Sequence, residues 1–170
     1  MNRNSNIRAA LKPGQLQIQV FNAGNFRAGA ILQRFTDEWM ETEEGEHTGS
    51  ILIDLSHCDR IDSTFAGVLT YTSLRLKKQG HALIVTNVSP CVMATLNELG
   101  IQSLFRLSHE SIDESAKWQD IEEKDTGDIS KQKVMLDAHN ILGTVCKQNQ
   151  ARFKDVIEAL QADLPEKELS

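Results

Sequence analysis

Apolar and polar residues alternate over positions 15–20, where Leu16, Ile18 and Val20 are set between Gln15, Gln17 and Gln19. A period of two is the pattern of a strand with one buried and one wet face. Pro13-Gly14 punctuates its start and Asn22 to Asn25 a turn after it. The period then changes. Ala28, Ile31, Leu32, Phe35 and Trp39 recur at helical steps and predict an amphipathic helix, ended by the polar run Glu41–Gly49. Ser50-Ile51-Leu52-Ile53-Asp54-Leu55 is short, apolar and rich in β-branched residues, which suits an interior strand buried on both faces.

A loop from Ser56 to Ile61 leads to a second helix over about 62–79, whose stripe is Phe65, Val68, Leu69, Thr72 and Leu76, with Gly80 as its stop. Ala82-Leu83-Ile84-Val85 predicts another interior strand. Ser89 as N-cap, Pro90 at the first helical position and the pair Val88 and Met93 open a third helix that runs through Leu96 and Leu99 to Gly100. Leu104–Leu107 can add one more short strand. Strands and helices alternating at these lengths imply an α/β fold, with a mixed or parallel central sheet of about four to five strands and helices packed on it.

Beyond Ser108 the composition shifts. Acidic residues dominate 109–133, with Trp118 and Ile121 as its main large apolar residues, and the segment reads as a solvated linker. Val134, Ala138, Ile141 and Val145 form one helical stripe, and Phe153, Val156, Ile157 and Leu160 a second beyond the polar residues 147–150. The chain thus divides into a domain over 13–108, a linker over 109–133 and a helical hairpin or kinked helix over 134–164. That extension can pack on the domain, self-associate or await a partner.

Composition narrows the class. The 170 residues are 40% hydrophobic, enough for one domain with a core plus an extension. No apolar run approaches the roughly 18 residues of a membrane span, and Met1–Lys12 lacks a signal-peptide core, so a cytoplasmic protein is expected. Eighteen basic against twenty-four acidic residues give a net charge of −6, which disfavours a grip on nucleic acid. Cys58, Cys91 and Cys146 have no C-x-x-C spacing, the five histidines are scattered, and Gly24 to Gly29 lacks the Lys-Ser/Thr of a P-loop. No catalytic residue, metal or cofactor is expected.

The informative stretch is Asp54-Leu55-Ser56-His57-Cys58-Asp59-Arg60-Ile61-Asp62-Ser63-Thr64-Phe65-Ala66-Gly67. A strand ends, and Asp-Ser-Thr stands at a helix start. Asp62 or Ser63 can simply cap the helix. An exposed hydroxyl there is equally a good phosphorylation site, because phosphate adds about −1.5 to −2 charges beside free backbone N–H groups.

Asp54-Leu55-Ser56 followed by Ile61-Asp62-Ser63-Thr64 resembles the signature of STAS domains of the bacterial anti-sigma factor antagonist type. The likeness continues through Leu76–Gly80, Leu83–Val85, Val88–Pro90 and Leu96–Phe105, and spans about ninety residues, 15–107. It implies a non-enzymatic partner switch. The unphosphorylated protein binds an anti-sigma factor or HPK-like serine kinase, phosphorylation of Ser63 releases it, and a PP2C-type phosphatase restores it. Asp62, Thr64, Phe65 and, from the turn after the first strand, Asn25 are the implied partner contacts. Phe65 departs from the family's usual Gly and can instead begin the buried stripe. The same domain also serves as a stabilising subunit of lipid-type ABC transporters, which is the alternative role, and a passive scaffold is a third.

Overall fold

The computed structural model describes residues 5–42, 49–125 and 127–169. Most of the polar run Glu41–Gly49 lies outside them. The chain opens with a hairpin, β1 (Ile7–Lys12) and β2 (Gln15–Gly24), and continues with α1 (Phe26–Glu41), β3 (Ser50–Ile61), α2 (Ser63–Lys78), β4 (Leu83–Thr86) and α3 (Pro90–Glu98). Then come β5 (Arg106–Ser108), β6 (Gln119–Asp120), α4 (Gly127–Val145) and α5 (Lys147–Asp163).

The sheet is mixed and has six strands in the order β5-β4-β3-β2-β1-β6. Strands β2 to β5 run parallel through helical crossovers, while β1 pairs antiparallel with both β2 and β6. The expected interior strands, crossover helices and N-caps are present, but β3 runs on through the expected loop Ser56–Ile61, and β2 through most of the expected turn Asn22–Asn25, because the two strands stay paired as far as Gly24 and Ile61. Six strands rather than four or five result from β1 and β6, whose short and weakly alternating sequences gave no clear strand pattern. Pro13-Gly14 does not merely start β2 but turns the hairpin, with Gly14 at φ 73° and Lys12 facing Gln15. Proline followed by a glycine of positive φ is the order a type II turn requires.

One face of the sheet carries Leu16, Ile18, Val20, Ile51, Ile53 and Val85 into the main core, where they meet Leu32, Phe65, Val68, Leu69, Val92 and Leu96. The other face is not wet. Gln17 is 3% and Gln19 1% exposed. Gln19 Nε2 donates to Asp54 Oδ2 at 2.6 Å and its Oε1 accepts from Arg8 Nε at 2.7 Å. Asp54 also accepts from Ser56 Oγ at 2.6 Å and Asn87 Nδ2 at 2.8 Å. Polar side chains can occupy such a position because each finds a partner.

Much of the cover over this face comes from the acidic segment. The Asp113 N–H donates to Gln17 Oε1 at 3.1 Å, and Trp118 Nε1 donates to the Asp113 carbonyl at 2.9 Å. The Arg8 guanidinium lies 4.5 Å from the centre of the Trp118 ring and pairs with Glu114 at 3.0 Å. Residues 110–121 are therefore held along the sheet rather than standing clear of it, with Glu114 and Asp113 paired to Arg8 and Lys12 of β1. The remainder of the supposed linker belongs to α4, which begins at 127, before the apolar stripe does. The helical break falls at Cys146, whose extended backbone separates α4 from α5, and not over 147–150.

Candidate functional site

The junction of β3 and α2 is fixed from both sides. The Asp62 N–H donates to the Gly24 carbonyl at 2.8 Å, which ties the end of β3 to the end of β2. The Asp62 side chain then caps α2, its Oδ1 accepting from the Phe65 N–H at 2.8 Å. Backbone N–H groups of Phe26 and Thr64 also point to this carboxylate. Burial nevertheless raises its pKa above the ordinary value, outweighing the pull of those hydrogen bonds. The start of α1 lies beside it. Asn25 caps that helix through Oδ1, which accepts from the Ala28 N–H at 3.0 Å, and Phe26 is exposed next to it.

Ser63 occupies the first turn of α2 and is half-buried. Its Oγ lies 2.9 Å from Nε2 of His139 on α4. His139 Nδ1 lies 2.6 Å from the Met135 carbonyl, one turn earlier on the same helix. A carbonyl only accepts, so Nδ1 carries a hydrogen, and in the neutral ring Nε2 is left to accept from the Ser63 hydroxyl. The imidazole is 4% exposed and meets the Phe153 ring edge-on at 5.1 Å between centres. Four residues further along α2, Gly67 lets α4 come close: a Cβ there would stand 2.4 Å from the Ala138 carbonyl oxygen.

The structure thus brings Asn25, Asp62 and Ser63 to one end of the sheet, around two adjacent helix N-termini. It withdraws Thr64 and Phe65 from that surface. Thr64 is 3% and Phe65 0% exposed, so neither side chain is offered to a partner as the molecule stands. Phe65 begins the buried stripe of α2, its ring packed on Gly24. In the sequence His139 is one of five scattered histidines. Nothing local marks it, because its partner is 76 positions away.

Other polar and ionisable residues of β3 have structural places. Asp54 is bound into the covered polar face and does not meet Asp62. The His57 ring stacks on Phe21 with 5.4 Å between centres. Cys58 is buried, and burial raises its thiol pKa. Among the described residues no cluster of three or more His, Cys, Asp or Glu could hold a metal ion, and no helix is long and apolar enough to cross a membrane.

Comparison with known proteins agrees with this architecture. No curated protein sequence matches the chain. Among solved structures, a Thermotoga maritima protein assigned as an anti-sigma factor antagonist superposes with TM-score 0.50 at 13% identity, over 58% of this chain and 82% of that one. A sulfate transporter family protein from Wolinella succinogenes gives TM-score 0.50 at 19% identity, over 59% and 80%. RsbS of Moorella thermoacetica, in a variant form, gives 0.49 at 19%, over 61% and 86%. The family model of the STAS domain matches residues 25–115, which include β3, the Asp62-Ser63 junction and α2. The chain belongs to the STAS domain family.

Proposed function

We propose that this protein is a partner-switching regulator of the anti-sigma factor antagonist kind, with Ser63 as its phosphoacceptor. In the unphosphorylated state the surface around Asn25, Asp62 and Ser63 binds an anti-sigma factor or a related serine kinase. Phosphorylation of Ser63 ends that binding, and a PP2C-type phosphatase reverses it. The protein acts by binding and not by catalysis.

The observation that carries this reading is the placing of the Ser63 hydroxyl in the first turn of α2, directly after a cap whose carboxylate already takes the nearby N–H groups. A bare helix N-terminus would welcome a phosphate. Here Asp62 fills that role, so a phosphate on Ser63 sets two like charges side by side at the surface a partner has to cover. Like charges juxtaposed in an interface cost several kcal/mol. About 1.4 kcal/mol already changes affinity tenfold, so the modification suffices as a switch. The fold's likeness to a protein assigned as an anti-sigma factor antagonist points the same way.

The test is phosphopeptide mapping of the protein from its native host, with pull-downs using Ser63→Ala and Ser63→Asp. Phosphate at Ser63, together with a serine kinase or anti-sigma factor held by the Ala form and lost by the Asp form, is the expected result. No phosphate under any growth condition, with both variants holding the same partner, overturns the reading. Were that partner a transporter ATPase, a stabilising-subunit role would replace it.

A further inference from the structure

We propose that the α4–α5 hairpin is a built-in occupant of the switch surface, and that its docking and a phosphate on Ser63 exclude each other. The inference rests on the reading of Ser63 as a phosphoacceptor and adds a regulator carried by the chain itself.

Three observations place the hairpin in that role. The first is its position. His139 takes the Ser63 hydroxyl at 2.9 Å, while Ala138 sits against Gly67 on the next turn of α2. A partner that reads Ser63 has to reach a side chain that α4 already holds. The second is its place in the chain. The hairpin begins at 127, beyond the residues 25–115 that match the family domain. It lies over the acceptor end of that domain.

The third is how it is held. Of α5 only Asn149 and Phe153 are buried, and of α4 only Leu136, Ala138, His139 and Leu142. Asn149 Nδ2 bonds the carbonyls of Leu99 and Leu142 at 2.8 and 3.1 Å, and Arg152 pairs with Glu98 at 3.3 Å. Most of α5 faces solvent, while α4 is part-covered: Ala138, Leu142 and Phe153 join the core, with Val134, Val145 and Ile157 against it. The hairpin is held along one inner face by side chains and not by the ladder of the sheet, so it can open while the sheet stays closed.

The exclusion follows from chemistry at one atom. Esterified Oγ has no hydrogen to give, so the bond between Oγ and His139 Nε2 is lost. The gap of 2.9 Å between Oγ and Nε2 holds no room for a phosphorus and three oxygens. Beside them the Asp62 carboxylate repels the new charge. Linkage then acts in both directions: phosphate drives the hairpin off, and a docked hairpin withholds Ser63 from a kinase or binding partner.

The experiment is hydrogen exchange on the full chain in three forms: unmodified, with phosphoserine inserted at position 63 during translation, and Gly67→Ala. The alanine is a chargeless wedge, because its Cβ would stand 2.4 to 2.7 Å from Ala138 backbone atoms while improving the helix propensity of α2. The expected result is at least about tenfold faster exchange of α4 and α5 amides in both altered forms, a shift of roughly 1.4 kcal/mol, with β2, β3 and β4 unchanged. Exchange of α4 in the phosphoserine form at the unmodified rate overturns the proposal. Slower exchange also overturns it, since α4 would then be gripping the phosphate. So does a rise spread evenly over the sheet, which would make the hairpin part of one indivisible core. None of these outcomes depends on a kinase. Failure here leaves the phosphoacceptor reading standing, and absence of phosphate in the host leaves this coupling standing.

Discussion

The ring of Phe65 lies where a side chain on Gly24 would have to go: a Cβ at 24 would come 2.7 Å from Cδ1 of Phe65 and 2.9 Å from Cγ2 of Ile61. The end of β2 and the first turn of α2 are thereby packed as one unit beside the Asp62–Gly24 backbone bond. Gly24→Ala is expected to cost about 1–3 kcal/mol through overpacking. Phe65→Ala, which empties the same place, is expected to cost about 3–5 kcal/mol. Urea unfolding of both variants checks the pair, and wild-type stability in either would deny that the ring is closely packed there.

Asp62 gives the site a pH signature. Burial raises its folded pKa above the unfolded value, so the folded protein binds this proton more tightly. Its contribution to stability is therefore fully present below the unfolded pKa and is lost as pH rises through the folded one. Asparagine is an equally good N-cap but does not titrate. Wild type is expected to gain stability relative to Asp62→Asn as pH falls from 7 through the carboxylate range. Denaturant midpoints of the two proteins at pH 7, 5 and 4 measure it. A difference that moves the other way would mean a depressed pKa.

The covered polar face depends on Asp54, which accepts from Gln19, Ser56 and Asn87. Asp54→Ala takes away their shared acceptor beneath the 109–118 segment and leaves Gln19 and Asn87 only long bonds, 3.5 Å to Ser56 Oγ and 3.4 Å to the Glu110 carbonyl. A loss of about 1–3 kcal/mol is expected for such unsatisfied groups. Equilibrium unfolding supplies the number, and proteolysis should cut sooner between Ser108 and Trp118 as the cover loosens.

Asn149 is the polar anchor of the hairpin. Removing its amide in Asn149→Ala frees two carbonyls, and a penalty of about 1–3 kcal/mol is expected. Its effect should be confined to α4 and α5 if they open as a unit. Amide exchange resolved by segment distinguishes that from a loss shared by the whole molecule.

The elements that were legible in the sequence are those where periodicity and punctuation coincide. Strands β2, β3 and β4 and helices α1 to α3 each pair an apolar pattern with a Gly, Pro or capping residue at its end. Asp62 and Ser63 were legible because a short motif fixes them at one junction. Strand β1 was not, because Ala9 and Ala10 blur its alternation and its face carries Arg8, whose partners are far along the chain. The glutamines of β2 looked wet for a related reason: what covers them is a segment some hundred positions away whose charges, read locally, suggest solvent. His139 belongs to the same class. A buried contact between distant residues leaves no periodic trace in either neighbourhood.

The strand order carries one more consequence. The sheet ends on β5, three residues long, and on β6, two residues long. Another chain arriving edge-on would find a handful of backbone groups to pair with, too few to extend the ladder. Short edges of this kind are how soluble sheets avoid growing into one another. What the sheet leaves open to another molecule is therefore mostly side chains on helices and junctions, not main-chain hydrogen-bonding groups.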